Sequence, residues 1–188
     1  MNSILQVEDL TGWIDAKKIF GPVNFRLEQG ERLRILGKNG SGKTTLIKSI
    51  IGIHKEWTGS IKIRSKAIGY KPQNINIYRS LNLREIAPHI LGYNEHRYLS
   101  LVEALTLGAF LNKPIGILSG GEAQRALLAI SLMKNPDILF LDEPFACADP
   151  ESIKAITDLL NREVRNIIVS ELAPIGMLRV DKEMVLGD

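Results

Sequence analysis

One eight-residue stretch constrains this chain more than any other: Gly37-Lys38-Asn39-Gly40-Ser41-Gly42-Lys43-Thr44, which fits the pattern G-x-x-x-x-G-K-[ST]. Glycines at that spacing let the backbone fold tightly, with its N–H groups turned inward toward an anion. The residues before it, 31–36, read as a strand, and residues 43–51 read as a helix. A helix N-terminus placed after such a loop adds further N–H groups and the positive end of its dipole. Lys43 has the reach to touch β- and γ-phosphates, and Thr44 offers a hydroxyl to Mg²⁺. Strand, loop and helix in that order call for an α/β sheet with the loop at a strand's C-terminal edge.

The rest of the chain agrees. Ile138-Leu139-Phe140-Leu141 is an apolar run bounded by Asp137 and Asp142, as expected of a buried parallel strand. Residues 59–63 and 67–70 read as short strands joined by the basic turn Arg64-Ser65-Lys66. Residues 166–170 and 183–186 read as the last two strands, with no further domain expected after them. Between residues 82 and 116 the period changes: Leu83, Ile86 and Ile90, then Leu101 and Leu105, recur at helical spacing. This is read as a helical insert spanning about 74–117 within a single domain of residues 1–188.

Asp142-Glu143 follows the apolar run directly, so the carboxylates stand where open α/β sheets bind ligands. Asp142 suits Mg²⁺, and Glu143 suits orienting and deprotonating a water. Taken alone, a turn or cap acid would explain them as well. Leu118-Ser119-Gly120-Gly121-Glu122 opens another helix, with Ser119 as cap and two glycines behind it. That geometry also binds anions. A single triphosphate already has its loop, so a second anion-binding helix start suggests contact with a nucleotide on a neighbouring subunit.

Composition excludes several alternatives. With 45% apolar and 24% charged residues, the chain is neither fibrous nor disordered. Its longest stretches without Asp, Glu, Lys or Arg, 86–94 and 104–112, are nine residues, against about 20 for a membrane span. No secretion signal is expected from the first residues, which lack a basic start and a long apolar run. The lone cysteine, Cys147, allows no internal disulfide and fits a reducing compartment; it is expected to be a small packed residue. Lys62, Arg64 and Lys66 alternate along a strand, as on a solvated face.

The phosphate loop, Gln73 after a short strand, the L-S-G-G-E signature and the strand ending in Asp142-Glu143-Pro144 stand in one order. In that order, over nearly the whole chain, the sequence resembles the ATP-binding subunits of ABC transporters. The resemblance implies a P-loop NTPase with an antiparallel β subdomain, a RecA-like parallel sheet core and a helical subdomain insert. It implies ATP and Mg²⁺ as cofactors, and a head-to-tail dimer that two bound ATP molecules close and that hydrolysis and phosphate release reopen. Gly37, Asn39, Gly40, Ser41, Gly42, Lys43, Thr44 and Thr45 would hold the nucleotide. Ser119, Gly120 and Gly121 of the second subunit would face it. Thr44, Gln73 and Asp142 would serve the metal, and Glu143, Lys43 and Gln73 the reaction. Asp149 matches the aspartate of the family's D-loop. Trp13, 24 residues before Gly37, stands where the family places an aromatic on adenine, although a Trp packs equally well in a core.

Separate membrane permease subunits would be the other partners, with no direct nucleic acid, at the cytoplasmic face of a membrane. The segment 79–89 is the expected contact. The short strand 66–70 and the signature resemble those of metal-ion importers. Two alternatives stay open: a slow or degenerate subunit in an asymmetric pair, and a non-transport ABC ATPase acting on nucleic acid or ribosomes. The first rests on a departure. The family places a histidine at the end of the strand after the D-loop, and here that position is Glu171. An acid beside the γ-phosphate would repel it unless protonated or turned away. Slow or partner-dependent hydrolysis is expected, with Glu171→His raising turnover.

Overall fold

The computed structural model describes residues 3–73, 79–90, 92–175 and 177–187. Along the chain run β1 (Ser3–Ile14), β2 (Lys17–Glu28), β3 (Arg32–Leu36), α1 (Lys43–Ile50), β4 (Trp57–Ile63), β5 (Ile68–Lys71), α2 (Leu83–Ile86), α3 (Glu95–Ala104), α4 (Gly120–Leu132), β6 (Ile138–Asp142), α5 (Pro150–Glu163), β7 (Asn166–Glu171) and β8 (Lys182–Val185).

Every residue of β6 and β7 is buried. Strands with no polar face belong at the centre of a parallel sheet covered on both sides. The larger sheet has the order β5-β6-β7-β3-β8, with every pair parallel. Successive side chains point to opposite faces, so the two central strands feed two cores. Leu139, Leu141, Ile167 and Val169 pack with α4, α5 and the helical segment before them. Ile138, Phe140 and Ile168 pack with Leu46 and Ile47 of α1 and with Leu5, Leu10 and Phe20. Each side chain fully buried this way contributes about 1.5–3 kcal/mol.

The second sheet is antiparallel, in the order β2-β1-β4. β1 and β2 form a hairpin turned by Asp15 and Ala16, at φ 48° and 63°. Two consecutive left-handed residues make the tight turn whose twist matches that of the strands. The two short strands read at 59–63 and 67–70 fall in different sheets: β4 completes the antiparallel one and β5 edges the parallel one. Lys62, Arg64 and Lys66 are all exposed, as the alternation required.

Between β5 and α4 the described residues hold α2, α3 and three short 3₁₀ turns, and no strand. Leu83, Ala87, Leu101 and Leu105 join the core that α4 and α5 share. Residues 74–78, where the expected insert begins, lie outside the described residues. Among the described residues no helix is long and apolar enough to cross a membrane. The parallel core, the antiparallel sheet and the helices are together those of an α/β P-loop NTPase.

Candidate active site

β3 hands the chain to the phosphate loop at the C-terminal edge of the parallel sheet. Gly40 and Gly42 sit at φ 82° and 95°, where a side chain would be strained. Lys43 crosses under the loop: its Nζ donates to the carbonyls of Gly37 at 2.6 Å and Lys38 at 3.0 Å. α1 starts with no side-chain cap and no acid in its first turn. Its first N–H groups and positive dipole end are therefore presented to the loop.

The acid pair comes from β6. Asp142 is fully buried. Ser170 Oγ, on the neighbouring β7, donates to Asp142 Oδ1 at 2.7 Å, while the buried Oδ2 has no partner in the protein. Glu143 leaves the strand in the left-handed region, at φ 45°, which costs a non-glycine residue roughly 1–2 kcal/mol. Its N–H is held by Ser170, 3.1 Å from the carbonyl and 3.2 Å from Oγ. The turn throws its carboxylate into the cleft. There Gln73 Nε2 donates to Oε2 at 2.7 Å, and Lys43 Nζ stands 3.5 Å from Oε1. The result is a cleft of about 430 Å³ whose walls include Asn39, Gly40, Gly42, Lys43, Thr44, Thr45, Gln73 and Glu143.

The donor set suits Mg²⁺. A hydroxyl at Thr44, an amide at Gln73 and a buried carboxylate oxygen without a partner at Asp142 are all hard ligands. Among the described residues no group of three or more His, Cys, Asp or Glu side chains could hold a metal. Mg²⁺ usually retains waters and takes substrate phosphates instead of such a cage.

The signature stands apart. Ser119 caps α4 in a reciprocal box with Glu122, bonds of 3.4 and 2.8 Å. Gly121 lies so close to Asp149 and Ser152 that a Cβ would collide with both, and a Cβ on Gly120 would meet the Cys147 carbonyl at 2.6 Å. Asp149 caps α5 through Ser152, with bonds of 2.8 and 2.7 Å. Those bonds hold its carboxyl below the usual range. Ser119, Gly120 and Gly121 do not line the cleft, and Ser119 and Gly120 face solvent.

Three further residues follow, the first of them against expectation. Cys147 is exposed, not packed, because φ 58° turns the backbone there and puts its carbonyl against Gly120. Trp13 is half-buried and does not line the cleft; Ile14 and Ile19 do. Neighbours along a strand face opposite ways, so Ile14 takes the cleft side. Glu171 does not face solvent. It is 2% exposed, and Arg34 Nε donates to its Oε2 at 2.6 Å. Arg34 Nη1 also donates to Glu183 at 2.6 Å, so the guanidinium spans β7, β3 and β8. Burial pushes the Glu171 carboxyl above its ordinary range, outweighing Arg34.

Sequence reasoning passed over Lys71 and Arg34. The available signal was a cation within a short core strand, Lys71 at the end of β5 and Arg34 in the middle of β3. Lys71 is completely buried and donates to the carbonyls of Pro72 at 3.1 Å and Asp142 at 3.4 Å. Burial pulls its ammonium down to about 7 against the attraction of Asp142 and Glu143.

Comparison with known proteins places this geometry. The family model described as ABC transporter matches residues 20–146. The zinc import ATP-binding protein ZnuC of Ehrlichia ruminantium is 35% identical over 164 residues, 85% of this chain and 68% of that one. A Thermotoga maritima protein named "Probable metal transport system ATP-binding protein" is 37% identical over 186 residues, 93% of this chain and 77% of its own. A solved ATP-binding subunit of an ABC transporter superposes with a TM-score of 0.82 at 26% identity, covering 98% of this chain and 86% of that one. Sequence, fold and cleft agree: the chain belongs to the ABC transporter family.

Proposed function

We propose that this chain binds and hydrolyses ATP as the motor subunit of an ABC transporter, working with separate membrane permeases. The observation that carries the reading is the convergence of Lys43, Gln73 and Glu143 on one cleft, with Glu143 bonded to the other two. Glu143 orients the attacking water and takes its proton. Gln73 holds the Glu143 carboxylate on that line. Lys43 and the N–H groups at the start of α1 stabilise charge on the transferring phosphoryl group. Thr44, Gln73 and Asp142 would hold Mg²⁺, which supplies charge neutralisation at the β- and γ-phosphates when bound with ATP.

Ser119 to Gly121 lie outside this cleft in their own chain. A second copy, turned head to tail, would bring its signature to the phosphate. Ile14 and Ile19 offer an apolar surface for the base in place of Trp13. The permease contact would fall on segment 79–89, around α2, where Leu81, Glu85, Ile86 and His89, with Ile90 beside them, line a groove of about 470 Å³. The relatives named for zinc and metal transport favour a divalent metal ion as cargo, selected by the membrane subunits.

Turnover is expected to be slow. With Glu171 bonded to Arg34, no side chain at the family's histidine position reaches the phosphate. Losing one such contact costs on the order of 100-fold. Steady-state Mg·ATP hydrolysis by the purified chain tests the reading, with Glu143→Gln as control. Hydrolysis that vanishes in the variant supports a working ATPase. Equal rates in both, with ATP still bound, would reduce the chain to a nucleotide-holding partner.

A further inference from the structure

Lys71 is among the largest fully buried side chains of the described residues, and no step above uses it. It ends β5, pairing with Leu141 of β6. Its Nζ meets two backbone oxygens, those of Pro72 and Asp142. The second belongs to the peptide unit that joins Asp142 to Glu143. The N–H of that same unit is held by Ser170 from β7. The peptide is thus gripped from both sides: by β7 at its nitrogen and by Lys71 of β5 at its oxygen. Glu143, just beyond, is the residue at φ 45° whose carboxylate meets Gln73 and Lys43. A strained conformation persists only where its surroundings over-determine it. The other oxygen, that of Pro72, begins the segment that carries Gln73.

We propose that Lys71 is a positioning residue for ATP hydrolysis: it fixes the peptide that sets Glu143 in its left-handed turn and ties the Gln73 loop to it. An apolar side chain at the end of β5 would satisfy the packing but would leave the Asp142 carbonyl ungripped. Ammonium and amine both carry N–H donors, so the bridge holds in either protonation state. The inference rests on Glu143 acting as the base.

The test is Lys71→Met, which keeps length and removes the donors, with Lys71→Leu as a second variant should the first not fold. Either change leaves two carbonyls without their donor and removes a cation from beside Asp142, so Tm is expected to fall, and kcat is read at a temperature where each variant is still folded. The rate constant kcat is expected to fall about 100-fold, the scale of a small misplacement of a reacting group. KM for ATP should stay within about twofold. Crystal structures of both variants should show Glu143 leaving positive φ and its bond to Gln73 broken. A variant with wild-type kcat, or with lost activity that only follows a lowered Tm, overturns the inference. So does an unmoved Glu143. If wild type and Glu143→Gln hydrolyse equally, the functional reading has failed instead, and the geometry of Glu143 in the variant structures still decides whether Lys71 holds it.

Discussion

Two glutamates follow matched positions on neighbouring strands and end on opposite sides of the sheet. Asp142 of β6 pairs in register with Ser170 of β7, so Glu143 and Glu171 are equivalent next residues. Glu143 turns left-handed and sends its carboxylate to Gln73 and Lys43 in the cleft. Glu171 stays in the strand, paired with Leu36, and sends its carboxylate into the core against Arg34. Side-chain chemistry is the same at both places. One backbone turn decides which acid reaches the cleft and which one stays with Arg34 inside the sheet.

The contrast can be broken most sharply at Glu143. Glu143→Gln keeps the shape and removes the base, and hydrolysis is expected to fall by roughly 10²- to 10⁴-fold while fluorescent ATP analogues bind as before. The other side is tested by Arg34→Leu. Breaking a buried pair by removing one partner costs about 3–5 kcal/mol, and a thermal melt should show Tm lower by roughly 10 °C. Loss of that size without change in ATP binding would mark Glu171 as an architectural acid.

Making Glu171 resemble its family counterpart has a smaller effect. Glu171→His together with Arg34→Ala is expected to raise turnover at saturating ATP by about tenfold. The single Glu171→His change should yield less, because Arg34 still occupies that space. No rise in either variant would show that the end of β7 does not limit the reaction. The smallest effect is on pH dependence. Burial holds the folded Glu171 carboxyl above its ordinary 4.5, so the folded chain keeps that proton longer than the unfolded one. The resulting stability is full below that ordinary value and is lost as pH rises through the folded value. Urea titrations of wild type and Glu171→Gln should show the wild type losing ground to the variant over that interval.

Much of this was legible beforehand. The phosphate loop, the apolar run of β6 and the cap Ser119 are local features, and local residues determine them. The family's order then gave the sheet architecture. The hairpin of β1 and β2 was not legible, because irregular pairing breaks its period of two: Ile4 and Leu5 are both buried. Nor was the fate of Glu171, which depends on Arg34, distant in sequence and adjacent only through parallel pairing.

Arg32 buries its guanidinium at the far end of α5, donating to the carbonyl of Leu160, the side chain of Asn161 and the carbonyl of Val164. The same helix begins at Asp149, packed on Gly121 of the signature. Its 14 residues make a rod about 21 Å long, pinned at one end to the strand that bears the phosphate loop and at the other to the signature. That rod works as a ruler. It sets the spacing between the strand that leads into the phosphate loop and the glycines that open α4.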